Sequence, residues 1–410
     1  MRATTLLNRL LNIKHTRVIA FCFDSDGVLV DVGLTTRVGI CASCVRRVRK
    51  VHDCRERLWR HLDLAGMKVH LRYAIRRLDC PRCGVTTEMV PWAEPTSWFT
   101  HAFEQTTAYL TQHASRVVVC ETMRIAWQTV GAIAARAVAR HRGADPLDGL
   151  THIGVDELSY RRHHEYVTVV VDHVRQRVVW AAPGKNAATL RAFFAQLGPP
   201  RCAALEAVTI DMSGAYIKAV TEASPQARIV FDRFHVQRLA HDALDKVRRK
   251  EVRAVDDPEE RKALKNTRFA LQKSPWNLTA IEAGKLADVQ RTNAPIYRAY
   301  LLKESLAEIL DRRQQHVARR LLEAWIAWAH RSRLGPFVTL ATTLRTHIDG
   351  IIAYVATGLS NGRTEGLNGK ARTITRRSYG FHSAHALIAM LFLCCSGLTL
   401  HPAFAVPCIH

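Results

Sequence analysis

Acidic side chains are scarce for a chain of this size. The 410 residues carry 36 Asp and Glu against 59 Lys and Arg, a net charge of +23, with a pI near 10.0. Such a deficit of acid calls for a polyanionic partner, nucleic acid before all others. An anionic membrane surface is the weaker alternative, because no segment is a clean basic amphipath with an aromatic face. The start, MRATTLLNRLLNIKH, lacks both a sustained apolar core and a small-residue cleavage site, so no secretory signal is read there. Nor is there a convincing membrane span. Ala384–Leu400 is nearly long enough but contains His385, Ser396 and Gly397 without adjacent anchoring charges, and reads as a buried core helix. The expectation is a cytoplasmic protein without a membrane partner. In that compartment 11 cysteines point to metal binding or burial, not to a disulfide framework. A hydrophobic content of 48% excludes a disordered chain, and the length excludes a single ordinary domain.

Cys41-Ala42-Ser43-Cys44 and Cys80-Pro81-Arg82-Cys83-Gly84 form two C-x-x-C knuckles. Each offers two thiolates to one tetrahedral zinc, and Gly84 eases the second turn. Residues 1–95 are therefore expected to form a four-cysteine zinc-ribbon module holding one structural Zn2+. The insert between the knuckles is densely basic. In its second half Val69, Leu71, Tyr73 and Ile75 alternate with His70, Arg72 and Arg76, which predicts a half-buried strand whose positive face meets DNA phosphates. Upstream, Asp24-Ser25-Asp26-Gly27 at the end of an apolar strand resembles the nucleophile loop of haloacid-dehalogenase phosphatases. That fold needs βα units directly afterwards, and a cysteine knuckle arrives instead, so a hairpin around Ser25-Asp26-Gly27 is expected.

Residues 96–145 read as a helix-turn-helix: Trp98–His113, then Arg116–Met123, a turn near Arg124-Ile125, and Ala126–Arg140. Gln128 and Thr129 are candidates for base edges, and Arg136 and Arg140 for phosphates. His141–Gly149 is a Gly-, Pro- and Asp-containing linker.

From Thr151 onward the pattern changes. Ile153 and Val155 precede Asp156, and Tyr166–Val171 is a continuous β-branched run suited to a strand buried on both faces. Glu157, next to Asp156, should point to the opposite face. Strands follow at Arg177–Ala182, Ala207–Asp211 and Ala227–Asp232, with helices at Ala187–Leu197 and Gly214–Ala223. The order βββαβαβ matches the ribonuclease-H architecture, which would set the ends of the first and fourth strands, hence Asp156 and Asp211, side by side. A basic helical insertion is expected over about 234–359. On a following helix Asn361, Glu365, Asn368 and Arg372 share a face, among Arg363, Lys370, Arg376 and Arg377. The expected fold is thus multidomain α/β: a zinc ribbon on four cysteines, a helix-turn-helix, and a ribonuclease-H-like mixed sheet over 151–410 with a long all-helical insertion.

The motifs CASC and CPRC, GVDE around Asp156, TIDMSGAY around Asp211 and SNGRTEGLNGKAR around Glu365 together resemble the ISL-type bacterial insertion-sequence transposases of the DDE class. The resemblance covers nearly the whole chain. It implies a transposase that binds the ends of an insertion sequence and cuts and joins DNA strands, with Asp156, Asp211 and Glu365 as catalytic triad. It further implies two Mg2+ (or Mn2+) ions on these carboxylates, Asp156 serving both, and Lys370 and Arg372, with Arg376 and Arg377, against the DNA. The stretch FDRFH resembles a D-x-x-H element of transposases with helical insertions, which makes Asp232 and His235 auxiliary residues beside Asn361 and Asn368. The implied partners are double-stranded DNA, as element ends and as target, and further copies of the chain assembled on it, in association with the nucleoid. Two alternatives stay open on the residues alone: a zinc-containing DNA-binding regulator without catalysis, and a hydrolytic nuclease of the same fold.

Overall fold

In the computed structural model, which describes residues 2–141, 145–161, 165–359, 361–378 and 381–403, two units share the chain. One comprises Met1–His141 and Leu398–His410, the other Arg142–Gly397.

The first unit starts with α1 (Ala3–Leu11), β1 (Thr16–Asp24) and β2 (Gly27–Leu34). The hairpin at Ser25-Asp26-Gly27 forms as expected, because Asp24 Oδ1 accepts from the backbone N–H groups of both Asp26 and Gly27 at 2.8 Å. Gly27 has φ 143°, and a Cβ there would lie 2.1 Å from the Lys68 carbonyl oxygen, so only glycine fits. No βα unit follows, and the phosphatase likeness ends at this turn.

Two short strands, β3 (Gly39–Ile40) and β4 (Arg47–Val48), frame the first knuckle. Then come β5 (Val51–Leu64), β6 (Met67–Cys80) and β7 (Gly84–Thr87). The sheet runs β1-β2-β6-β5 with β7 also on β6. β6 buries Val69, Leu71, Ile75 and Leu78, the first three in a cluster with Trp59, Trp92 and Val30. The basic insert is therefore a long two-stranded hairpin, although its first half shows little apolar alternation in sequence. Its arginines also differ from the expected phosphate-facing row. Arg72 holds Asp31 at 2.5 and 2.9 Å, Arg76 holds the fully buried Glu88 at 2.6 Å, and Arg77 holds Asp53 at 2.9 Å. Paired side chains of this kind serve the sheet first.

Three helices complete the unit: α2 (His101–His113), α3 (Arg116–Met123) and α4 (Trp127–His141). Thr100 and Ser115 cap the first two from the N-cap position, accepting from Phe103 N and Val118 N. Arg124 takes the left-handed conformation, φ 53°, that turns the chain from α3 into α4. Phe103, Val119, Met123, Val130 and Ile133 pack between them. The chain returns to this unit at its far end. Gln112 Nε2 donates to Leu398 O, Gln105 Nε2 to His401 O, and Ala403 N to Thr106 Oγ1.

The second unit is built on β8 (His152–Arg161), β9 (Glu165–Asp172), β10 (Arg177–Pro183), β11 (Ala207–Ile210) and β12 (Arg228–Phe231), in the order β10-β9-β8-β11-β12. β8, β9 and β10 pair antiparallel, while β11 lies parallel to both β8 and β12. The run Val167–Asp172 is buried throughout, as expected for a strand covered on both faces. Helices α5 (Ala187–Leu197), α6 (Pro199–Ala203) and α7 (Gly214–Ala223) connect the strands. The helical stretch then runs through α8 (Arg233–Ala254), α9 (Pro258–Lys265), α10 (Arg268–Gln272), α11 (Ala280–Thr292), α12 (Ala294–Leu310), α13 (Gln315–Arg331), α14 (Gly335–Thr346) and α15 (Ile348–Thr357). It is a packed body, with Trp325, Leu322, Phe337 and Leu302 sharing the core of the sheet. Finally α16 (Asn361–Arg377) touches β8 and packs on α17 (Ala384–Cys395), which lies against β9 and β10. Leu387, Leu391 and Leu393 of α17 are buried. Among the described residues no helix is long and apolar enough to cross a membrane.

Candidate active site and metal centre

The four knuckle cysteines come together. Cys41 follows β3 directly, and Val45 at φ 60° bends the chain so that its N–H reaches Cys41 O at 2.9 Å. β6 delivers Cys80, and Gly84 at φ 72° closes the second knuckle. The four sulfurs lie within 4.8 Å of one another, and Cys44 Sγ is 3.7 Å from Cys80 Sγ. A tetrahedron with Zn–S bonds of about 2.3 Å has edges of roughly 3.8 Å, so the set fits one zinc. Burial alone would push the Cys41 thiol up. The N–H groups of Cys44 and Ser43 and the neighbouring thiols outweigh it and bring it down to about 6. Cys83 moves the other way, to about 12, because its hydrogen bond to Cys44, burial and the nearby Cys41 all favour the protonated form. Four thiols sharing one site cannot all ionise without a cation, and a dication resolves that conflict.

The carboxylates are placed by strand register. β8 and β11 pair Thr209 with Gly154, and β11 and β12 pair Ile210 with Phe231. Carrying both registers forward sets Asp211 beside Asp156 on one side and Asp232 on the other. Neighbouring strands are about 4.8 Å apart, so the three aspartates form a row across the sheet. Asp211 and Asp232 directly follow β11 and β12, whereas Asp156, expected to end its strand, lies inside β8, which continues to Arg161 and pairs Asp156 with Val169 of β9. Asp156 and Asp211 are half-buried and Asp232 is 3% exposed. Asp156 Oδ1 accepts from Glu157 N at 2.7 Å, and Asp211 Oδ1 from Ser213 N at 3.0 Å. Asp232 caps α8, accepting from Phe234 N. His235 sits in the first turn of α8, half-buried, instead of being enclosed in the core.

Glu157, expected only as the neighbour facing away, belongs to this neighbourhood. Burial raises its pKa, a hydrogen bond with Tyr216 opposes that, and the charges of Asp211 and Asp156 raise it further. Tyr216 Oη is 3.1 Å from Thr168 Oγ1, and Lys185 Nζ lies 3.8 Å over the Tyr166 ring. The adjacent acids Asp156 and Glu157 are the available clue in sequence. What distinguishes Glu157 is Tyr216, which arrives from α7.

α16 has the expected helical backbone and touches the strand that carries Asp156. The side chains of Asn361, Glu365 and Asn368 lie outside the described residues. Lys370, Arg372 and Arg376 are exposed along the helix, and Arg377 is half-buried. In the three-helix part of the first unit, Gln128 and Thr129 both stand at the start of α4, outside the buried core. Arg136 and Arg140, expected to hold phosphates, both face Glu104 on α2. Arg136 reaches it at 2.6 Å and Arg140 at 2.5 Å, and Glu104 itself is only 1% exposed. Burying a carboxylate there requires these cations, which assigns them a bundle-holding role.

A four-cysteine cluster that fits one zinc and a row of aspartates across a mixed sheet, on a chain of net charge +23, are features suited to a DNA-acting protein. Residues 153–391 match a family model described as transposase, and residues 37–83 match the zinc-finger of transposase IS204/IS1001/IS1096/IS1165. The chain belongs to the ISL3 family of transposases. It is 38% identical over 429 residues to the transposase for insertion sequence element IS1557 of Mycobacterium tuberculosis, covering 97% of this chain and 96% of that one. It is 31% identical over 351 residues to the transposase for insertion sequence element IS1001 of Bordetella parapertussis, covering 85% and 86%.

Proposed function

We propose that the chain binds the ends of an insertion sequence through its first unit, and cuts and joins DNA strands at the carboxylates of its second, as a homo-oligomer on DNA. The observation that carries this reading is the register that sets Asp211 beside Asp156 on adjacent parallel strands. The strand order β10-β9-β8-β11-β12, with the first three antiparallel and the last two parallel to the middle one, supports a ribonuclease-H-like fold. The order α2, α3, left-handed turn, α4 supports a helix-turn-helix, with Gln128 and Thr129 at the start of its last helix.

Asp156, Asp211 and Glu365 would hold Mg2+ or Mn2+, whose preference is for hard oxygen donors of this kind. Bound there, a pair of ions supplies activation of the attacking oxygen and stabilisation of the leaving oxygen in displacement at phosphorus. The chain's own part is placement. The sheet sets two of the acids side by side, the third belongs to α16, a helix that touches β8, and Lys370 and Arg372 on the same helix would offer charge to the scissile strand. Asp232 continues the row but already caps α8, so we assign it, with His235, a supporting place. The helical stretch α8–α15 is read as the insertion that parts the second acid from the third.

The test is strand transfer in vitro with Mg2+ and oligonucleotide ends. Asp156→Asn and Asp211→Asn should abolish cleavage and joining while end binding stays within a few-fold. Joining at the wild-type rate by Asp156→Asn would overturn the mechanism and favour a non-catalytic DNA-binding regulator. Release of cut ends without any joined product by the wild type would favour a nuclease. Near-wild-type joining by Glu365→Gln would pass the third position to Asp232.

A further inference from the structure

Within the second unit, two adjoining cavities of about 520 and 570 Å3 open beside β12, between that strand and the start of α13 and α15. They share Gln315, Arg319 and Ile352, and together form one open groove. β12 is the last strand of its sheet among the described residues, so the groove follows the sheet's edge.

The charge in this groove differs from that of the arginines described above in the first unit. Arg72, Arg76, Arg136 and Arg140 all have carboxylate partners. In the groove, Arg228, Arg313 and His316 are exposed, and their side chains have no hydrogen-bond or ion-pair partner among the described residues. Asp349 is the acid among the lining residues, and Arg319 already pairs with it at 2.5 Å. A concave surface with surplus unpaired guanidinium charge and a polar lining suits a polyanion that runs past it. A backbone of phosphates matches that description.

We propose that this groove is a DNA-phosphate surface separate from the carboxylate row, holding the duplex to one side of the reacting phosphate. The proposal rests on the function proposed above. Arg228 and Asp232 stand at opposite ends of β12, roughly 13 Å apart at about 3.3 Å per residue. With about 3.4 Å of rise per nucleotide along each strand, the groove contacts phosphates about four nucleotides from the reacting one. Guanidinium groups without base-edge partners carry no sequence information, so end DNA and random duplex engage the groove alike.

The test compares the full chain with a variant carrying Arg228→Ser, Arg313→Ser and His316→Ser. Binding of an end-bearing duplex and of a random duplex is measured over a range of salt. Each lost phosphate contact removes about 0.9 from the slope of log K against log salt, so the two arginines predict a fall of about 2 on both duplexes. A control variant, Lys250→Ser with Arg253→Ser, removes two exposed charges elsewhere and should leave the slope nearly unchanged. A methylphosphonate placed about four nucleotides from the cleaved bond should weaken wild-type binding and leave the groove variant indifferent. An unchanged slope in the groove variant overturns the proposal while leaving the transposase reading intact. An equal loss in the control also overturns it, by assigning the effect to net charge. A wild type that binds neither duplex at any salt brings down the functional reading and this one with it.

Discussion

Removing Glu104 tests whether Arg136 and Arg140 hold the helices together or wait for DNA. The carboxylate is 1% exposed, accepts from both guanidiniums, and takes a further hydrogen bond from Ser97 Oγ at 2.6 Å. Breaking a buried ion pair from one side typically costs about 3–5 kcal/mol, because the surviving charge is left uncompensated. Here the survivors are 29% and 24% exposed and can turn partly to water, and Ser97 Oγ keeps its contacts to Phe99. The lower end of the range, about 3 kcal/mol, is therefore expected for Glu104→Ala. For a unit of this size 1 kcal/mol moves the melting temperature by roughly 2–4 °C, so the shift should be about 6–12 °C. Calorimetry of the full chain should show that shift in the transition of the first unit alone. DNA titration adds the functional side: with Arg136 freed and Arg140 left to Glu94 at 3.1 Å, the affinity for random duplex should stay equal or rise. A loss of stability below about 1 kcal/mol, together with weaker DNA binding, would refute the pairing argument and restore both arginines as phosphate contacts.

Other outcomes follow from the same geometry. Cys41→Ser or Cys80→Ser should unfold the first unit and spare the second, since binding such a zinc contributes roughly 10–16 kcal/mol; less than one zinc per purified wild-type chain by metal analysis would refute this. His61 is 8% exposed with Nδ1 2.9 Å from Thr100 Oγ1, and burial, helped by Arg60, lowers its pKa to about 4. Its unfolded value is near 6.5, so its contribution is complete above about pH 6.5, declines as pH falls towards 4, and is lost below that, a span on the order of 3 kcal/mol. His61→Gln should flatten that acid limb in pH-dependent melting, and an unchanged limb would refute it. Gly27→Ala should destabilise the first unit, because the added methyl meets the Lys68 carbonyl; an unaltered melting temperature would show that the hairpin can shift.

What is legible in the sequence has short-range causes. The knuckles declare themselves through pairs of thiols at turn spacing, and the sheet through the β-branched run Val167–Val171 and the acids that follow β11 and β12. The row of Asp156, Asp211 and Asp232 is half visible: Asp211 and Asp232 end apolar strands and Asp156 follows the apolar start of β8, but the alignment depends on register, which pairing between distant segments decides. β5 is hard to read because its charges alternate with few apolar residues, and it is held by a partner strand with pairs such as Arg77 with Asp53. The roles of Arg72, Arg76, Arg136 and Arg140 are not readable either, since a guanidinium declares no partner until Asp31, Glu88 and Glu104 arrive from other elements. The groove beside β12 is invisible for the same reason, being assembled from β12, α13 and α15.

The return of Leu398–Ala403 to α2 bears on the order in which the protein is made. The ribosome releases the helices of the first unit early, but the segment that receives Gln105 and Gln112 emerges only after the whole second unit. A nascent chain therefore holds an incomplete first unit until its second unit exists. Fragments that stop at the linker lack that segment and the hydrogen bonds it makes with α2. Adding a peptide spanning Leu398–Ala403 back to such a fragment supplies the missing piece in trans.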